Sequence, residues 1–343
     1  MPPFSEQFGR SLVAMSKLMR QYVWLLVALL IATVFVVVRI KASSVYIGAD
    51  LSALIRGEGH IPYQYRVLIP FLVGELEALH LVPLIETILS PLNIPELSAA
   101  LNSTPYTAAP FVFLEILSVW GLIVAFYRLL TQFPGGAIRR ALGVSLLLAL
   151  LVLVPRLTPD ARLWYPSDMP AILVVVLGYL LLFNGKVQLF YPLFILGTLN
   201  RETTLFMLPL LTFLPTGVLR SRRGFTHACV LFGVWAAIKL ALFFLFRGNH
   251  GYPMHPNIIV NMELLQDPRV VVVTLTTIVF VAIVAVAAAW RSQDPRLRAA
   301  CQAAALFIVA IFLAGKMDEL RIYLELAPLF TIALLSRRLT FST

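Results

Sequence analysis

Apolar runs separated by short polar segments fill this chain, and they predict membrane-crossing helices at about 22–38, 111–130, 141–154, 169–183, 187–199, 203–219, 227–246, 270–290, 299–313 and 322–335. That makes about ten, several of them shorter than the roughly 20 residues that a perpendicular crossing needs. The first run is followed by Arg39 and Lys41 with no small-residue cleavage site, so it reads as an anchor that stays in place. Residues 67–92 are also apolar, but Glu75, Glu77, His80 and Glu86 recur through them and Pro70, Pro83 and Pro91 interrupt them. That pattern predicts one or two amphipathic helices lying on the membrane surface, within a long first outer loop at 43–107. Residues 187–219 are broken by Asn200-Arg201-Glu202-Thr203, which predicts a hairpin with these polar residues at its turn.

Charge sets the orientation. With the N-terminus inside, the inner segments hold 15 basic residues, among them Arg10, Arg139, Arg140, Arg222, Arg223, Arg296 and Arg338, against two acids, Glu6 and Asp294. Basic residues concentrate in cytoplasmic loops, so both termini are expected in the cytoplasm. Composition agrees with a membrane class, at 60% hydrophobic and 13% charged residues. No long polar segment could form a soluble domain, so residues 1–343 are expected to make a single all-α polytopic membrane domain. The net charge of +10 is spread over short loops and does not argue for nucleic acid. Cys229 and Cys301 sit near the starts of apolar runs, where neither a disulfide nor a metal site is expected. Asn102-Ser103-Thr104 matches a glycosylation sequon that the following Pro105 leaves idle.

This orientation gathers the unusual polar residues on the outer side. The stretch after the first span carries Asp50, Arg56, Glu58, His60, Gln64, Tyr65 and Arg66. The second outer loop adds Asp160, Arg162, Trp164, Tyr165 and Asp168, the last read as the N-cap of the next span with Pro170 in its first turn. The hairpin adds Asn200, Arg201 and Glu202; later loops add His250, His255, Lys316, Asp318, Glu319, Arg321, Tyr323 and Glu325. Ionisable groups at the edge of apolar helices cost several kcal/mol unless paired or facing water, which makes them functional candidates. Glu115, inside the second span, reads as a partner for another helix.

Such a face suits an enzyme that uses a lipid-linked phosphate donor. Arginine forks hold phosphate oxygens bidentately, and a carboxylate takes the proton from an acceptor hydroxyl. Asp50 is placed for the base, and Arg201, Arg321 and Lys316 for the donor phosphate. His60, Gln64, Tyr65, Arg66, Asp168, Asn200, Glu202 and Glu319 would line the substrate groove. The two histidines His250 and His255 are not at a helical metal-binding spacing, and no metal ligand set is expected.

The layout and the strings PYQYRVLIPFL, YPSDMPAILVVVLGYLLL, LGTLNRETTLF and DELRIYLELAP resemble bacterial integral-membrane proteins grouped with the GT-C glycosyltransferases. The resemblance implies transfer of one sugar from a polyprenyl-phosphate donor to a glycan, lipid or protein acceptor, on the periplasmic face of a bacterial inner membrane. It also carries a general-base role onto Asp50. The family's first-loop acid pair stands here as Gly48-Ala49-Asp50, with one carboxylate, so the residues themselves do not indicate a divalent cation cofactor. Two other classes compete. A secondary transporter would need repeats and a midplane site, and a non-catalytic scaffold would have no use for convergent Asp, Arg and Glu loops.

Overall fold

A computed structural model describes residues 4–41, 44–45, 50–101, 103–153, 163–214, 222–251, 258–266, 268, 294–315 and 320–335, with side chains from residue 23 onward except at 44, 45, 163, 164, 314, 320 and 321. The described chain is helical. Its elements are α1 (Phe4–Lys41), α2 (Leu51–Arg56), α3 (Leu68–Ala78), α4 (Val82–Leu89), α5 (Ile94–Ala100), α6 (Pro105–Leu130), α7 (Ala137–Leu153), α8 (Asp168–Phe183), α9 (Val187–Asn200), α10 (Leu208–Phe213), α11 (Arg222–Phe246), α12 (Ile258–Leu264), α13 (Pro295–Ala314) and α14 (Ala327–Leu335). Two strands of two residues each, β1 (Ser44–Val45) and β2 (Leu163–Trp164), pair in parallel.

Among the described residues, four helices are long and apolar enough to cross a membrane, at Val23–Lys41, Pro105–Leu130, Arg222–Phe246 and Pro295–Leu313. Four more apolar helices, Asp168–Phe183, Val187–Asn200, Glu202–Phe213 and Ile322–Leu335, are shorter. This is a coarser picture than ten spans. The 270–290 span lies outside the described residues, and the 203–219 span is described only as far as Leu214.

Helix α6 is the centre of the bundle, buried along most of its length and packed by α1, α3, α4, α5, α7 and α8. Thr104 starts it by accepting from the Thr107 backbone N–H at 3.3 Å, and Pro105 follows at the position that needs no donor. The contacts between α1 and α6 fix their relative direction. Trp120 Nε1 donates to the Leu29 carbonyl at 3.1 Å and to Thr33 Oγ1 at 3.0 Å, while Trp24 lies 6.0 Å from Tyr127 between ring centroids. Residue numbers fall on one helix as they rise on the other, so the pair is antiparallel. The chain between them therefore returns to the end of the bundle that it left.

That result bears on residues 67–92. Helices α3 and α4 meet at a bend of 104°. A single crossing there would make α1 and α6 parallel, so the bent pair does not cross once. Its buried side, Ile69, Val73, Ile85 and Leu89, joins the core packed on α6, and its outer side exposes Phe71, Leu84 and Ile88.

The remaining helices extend the same alternation. Gly121 packs on Leu173 and Phe133 on Phe183, so α8 runs parallel to α6. The short turn around Gly185 sends α9 back. Arg296, at the start of α13, lies over the Phe133 and Phe183 rings, and its carboxylate partner Asp294 caps α13. One end of the bundle thus holds Trp24, Tyr127, Phe183 and Arg296. The other holds the end of α1, the starts of α6 and α8, and the end of α9.

The α1–α6 register generates a test. In a variant without Cys229 and Cys301, cysteines at 24 and 127 should be joined by a short bis-maleimide, read as a mobility shift after cleavage between them. Linkage of 24 to 106 instead would mean that α1 and α6 are parallel.

Candidate functional site

Asp168, Arg201 and Glu325 meet inside the bundle, where α8 begins, α9 ends and the 3-10 turn Leu320–Leu326 leads into α14. Arg201 Nη1 lies 3.1 Å from Asp168 Oδ1 and 3.3 Å from Glu325 Oε1. The three side chains are 2%, 2% and 4% exposed, so their charges interact with little screening by water. An ion taken out of water costs several kcal/mol unless it is paired and hydrogen-bonded. Here the pairing is two carboxylates on one guanidinium. Thr203 Oγ1 donates to Glu325 Oε1 at 2.8 Å, and Arg39 from α1 reaches Asp168 Oδ2 at 3.6 Å.

The backbone explains how Arg201 reaches this position. Arg201 is extended (φ −159°, ψ 144°), so α9 stops at Asn200 and a 3-10 turn, Glu202–Met207, begins. The polar interruption read as a hairpin turn is therefore a break at which the arginine points into the bundle. Asn200 Nδ2 donates to the Ser167 carbonyl at 3.0 Å and ties the end of α9 to the start of α8. Asp168 is the first residue of α8 and Ser167 is its cap, one position earlier than the sequence suggested. The Asp168 carboxylate is thereby free to face Arg201 and Arg39.

A second group lies toward the surface. Arg66 Nη2 donates to Glu202 Oε1 at 2.7 Å, and its guanidinium lies 5.5 Å and 5.8 Å from the ring centroids of Tyr63 and Tyr165. Those rings stack 4.9 Å apart, with the Tyr165 hydroxyl donating to that of Tyr63 at 3.2 Å. Trp235 Nε1 donates to the Glu202 carbonyl at 3.3 Å. Lys239, on the same helix as Trp235, lies within electrostatic reach of both Glu202 and Arg66. Burial opposes the charge on Glu202, but Arg66 and Lys239 outweigh it and hold the carboxyl below the usual glutamate range. The Glu202 side chain remains 40% exposed.

The first loop is built to present Arg66. Gln64 accepts from the Gly59 N–H at 2.8 Å and donates to the Leu54 carbonyl at 3.1 Å, so its amide folds the loop. Asn249 Nδ2 donates to the Gly57 and Gly59 carbonyls at 2.7 Å and 2.9 Å. Ile61 bridges to Gly251, whose φ of 108° and 2.3 Å clearance between a would-be Cβ and the Ile61 carbonyl leave room for glycine alone. Tyr65 packs with Ile61 and Leu242 beneath this loop.

The expected site residues therefore divide. Tyr65, Arg66, Asp168, Asn200, Arg201 and Glu202 come together at one end of the bundle. Gln64 is nearby in a structural role, and His60 faces His250 with ring centroids 6.0 Å apart. Asp50 caps α2, its Oδ1 accepting from the Ala53 N–H at 3.1 Å. Among the described residues it makes no ion pair with the cluster's cations. Lys316, Glu319 and the Arg321 side chain lie outside the described residues.

Sequence reasoning missed Arg39, Tyr63, Ser167 and Lys239. Lys239 did carry a signal, as a single basic residue within an apolar helix. Arg39 has the look of an ordinary anchor at a span end. Glu115 is fully buried beside Arg39 and Asp168, and neither of its carboxylate oxygens has a hydrogen-bond partner among the described residues. No group of three or more His, Cys, Asp or Glu among the described residues is arranged for a metal ion. Compared with known proteins, the chain matches no family model, no curated protein and no solved structure.

Two outcomes follow. Arg201→Ala removes the guanidinium shared by Asp168 and Glu325, leaving Arg39 beside the first and Thr203 beside the second, and should cost about 3–5 kcal/mol, read as a large drop in thermal stability in detergent. Arg66→Ala should cost less, because Glu202 is 40% exposed and keeps Lys239 within electrostatic reach. The depressed Glu202 carboxyl also sets a sign with pH. Its pairing stabilises the fold above glutamate's ordinary value of 4.5 and is lost as pH falls through the lower folded value. The stability difference between wild type and Glu202→Gln should be flat from about pH 8 to about pH 5 and shrink in stronger acid.

Proposed function

We propose that this protein is a membrane glycosyltransferase of GT-C type, moving a sugar from a polyprenyl-phosphate donor to an acceptor at the outer face of a bacterial inner membrane. The observation that carries the reading is the convergence of Arg66, Lys239 and the partly exposed Glu202 carboxylate at one end of an apolar bundle, beside loops that fold back over the helix ends. The amphipathic α3 and α4 line the groove for the lipid chain.

Each role follows from chemistry. The acceptor hydroxyl gives its proton to Asp50, whose Oδ1 caps α2 and whose other oxygen serves as base. The acceptor oxygen bonds the anomeric carbon as the bond from that carbon to the phosphate oxygen breaks. The electron pair leaves on the phosphate, where cations stabilise the charge. Arg201 is already committed to two carboxylates, so it anchors the site and leaves the phosphate to Arg66 and Lys239. The Arg321 side chain and Lys316, expected from the sequence to hold the phosphate, and Glu319, expected in the groove, lie outside the described residues, and His60 and Tyr65 belong to the first loop beside Arg66.

A secondary transporter is the second reading, favoured by Glu115 and Lys239, ionisable groups that lie within long apolar helices.

Purified protein in proteoliposomes with a radiolabelled polyprenyl-phosphate sugar tests the first reading. Asp50→Asn should insert and fold normally yet lose transfer; wild-type rates from that variant would remove Asp50 as the base. A cysteine at 202 should react with an impermeant maleimide added from the outside of oriented vesicles. Labelling only from the inside would reverse the orientation and sink the outer-face assignment.

A further inference from the structure

The Arg66–Glu202 pair differs from the buried triad beside it. Arg201 is held from two sides by carboxylates, but Arg66 is held by one, and that one is 40% exposed. Arg66 keeps a buried Nε with no hydrogen-bond partner among the described residues, and the Lys239 ammonium is likewise buried and without one. Arg66 pairs directly with Glu202, and Lys239, one helical turn beyond Trp235, whose indole donates to the Glu202 carbonyl, interacts with the same carboxylate electrostatically without an ion pair as short as that of Arg66. A carboxylate with two oxygens is a poor match for this donor set. A phosphate, with more acceptor oxygens and more charge, would satisfy the orphaned donors together with the Arg66 Nη2 now given to Glu202. The guanidinium need not move far, because the stacked Tyr63 and Tyr165 rings hold its plane. The partly exposed Glu202 side chain has room to move when displaced.

We infer that Glu202 is an internal stand-in for the substrate phosphate: its carboxylate occupies the Arg66–Lys239 site in the empty protein and is displaced when a phosphate arrives. The inference rests on the reading of this end of the bundle as the place where a phosphate-bearing substrate binds. It adds that the site is self-inhibited. The ligand competes with a tethered carboxylate, and the like charges of Arg66 and Lys239 are kept apart from unfavourable isolation while the site is empty. Neutralising Glu202 should therefore strengthen binding, the opposite of what loss of a structural residue does.

The test uses the full-length protein in detergent, with farnesyl phosphate and inorganic phosphate as probes, followed by calorimetry and by ligand-induced thermal shift. Glu202→Gln should bind farnesyl phosphate about tenfold more tightly than wild type. Lys239→Gln, which leaves the Arg66–Glu202 pair intact, should bind it more weakly, and Glu202→Gln combined with Arg66→Ala should lose the gain. A gain for both probes identifies the phosphate as the whole determinant, and a gain for farnesyl phosphate alone identifies a lipid headgroup. If folded Glu202→Gln binds no more tightly than wild type, the stand-in is wrong. If Glu202→Gln does not fold, unchanged affinity in Lys239→Gln overturns the proposal by itself. Sugar transfer is scored separately. Transfer without the gain discards the stand-in and keeps the enzyme, whereas the gain without transfer keeps the phosphate site and discards the enzyme.

Discussion

Arg201, held between Asp168 and Glu325, is the contact on which the rest of the site depends. Each of the three residues comes from a different element, at the start of α8, the end of α9 and the turn before α14. None of them can leave alone, since a single buried charge without its partner costs several kcal/mol. The interaction therefore fixes where three apolar segments end relative to one another. It also explains why the long apolar stretch 187–213 is interrupted, because the extended backbone at Arg201 is what sends the guanidinium inward.

From this fixed centre the polarity grades outward. Arg39 and Asn200 connect the triad to α1 and to the Ser167 carbonyl, and Ser167 and Glu202 connect it to Arg66. The triad is buried on all three of its side chains, while in the outer pair Arg66 is largely buried and Glu202 is 40% exposed. Both layers keep buried donors without a hydrogen-bond partner among the described residues, the Nε of Arg201 in the first and the Nε of Arg66 with the Lys239 ammonium in the second. What sets the second apart is that Arg66 has one carboxylate where Arg201 has two. The first loop supports this division, since Gln64, Asn249 and Gly251 hold its backbone so that Arg66 can be presented.

Much of this was legible in the residues, for definite reasons. Apolar runs and basic inner loops follow from what lipid tolerates, and they gave an alternation of helices that the α1–α6 register and the α8–α9 return both match. Asp168, Arg201 and Glu202 stood out because charges beside apolar helices are costly. What could not be read was which charges neutralise which. Arg201 was expected to face a phosphate and instead faces two carboxylates, a pairing that depends on the backbone break and on Glu325, more than a hundred residues later. Asp50 stood out by position, yet its oxygen caps a short helix. Lys239 carried a signal as a lone charge in an apolar run, but its partners come from other segments and could not be read from the chain.

The central claim is that a lipid-linked phosphate docks where Arg66, Glu202 and Lys239 meet. A polyprenyl phosphate carrying a photoreactive diazirine next to the phosphate, cross-linked to the protein in nanodiscs and mapped by mass spectrometry, tests it most directly. The account predicts adducts concentrated in the peptides around 60–67, 200–206 and 235–242, competed away by unlabelled polyprenyl phosphate. Adducts spread over the lipid-facing surfaces of α1 and α11 without competition would contradict it.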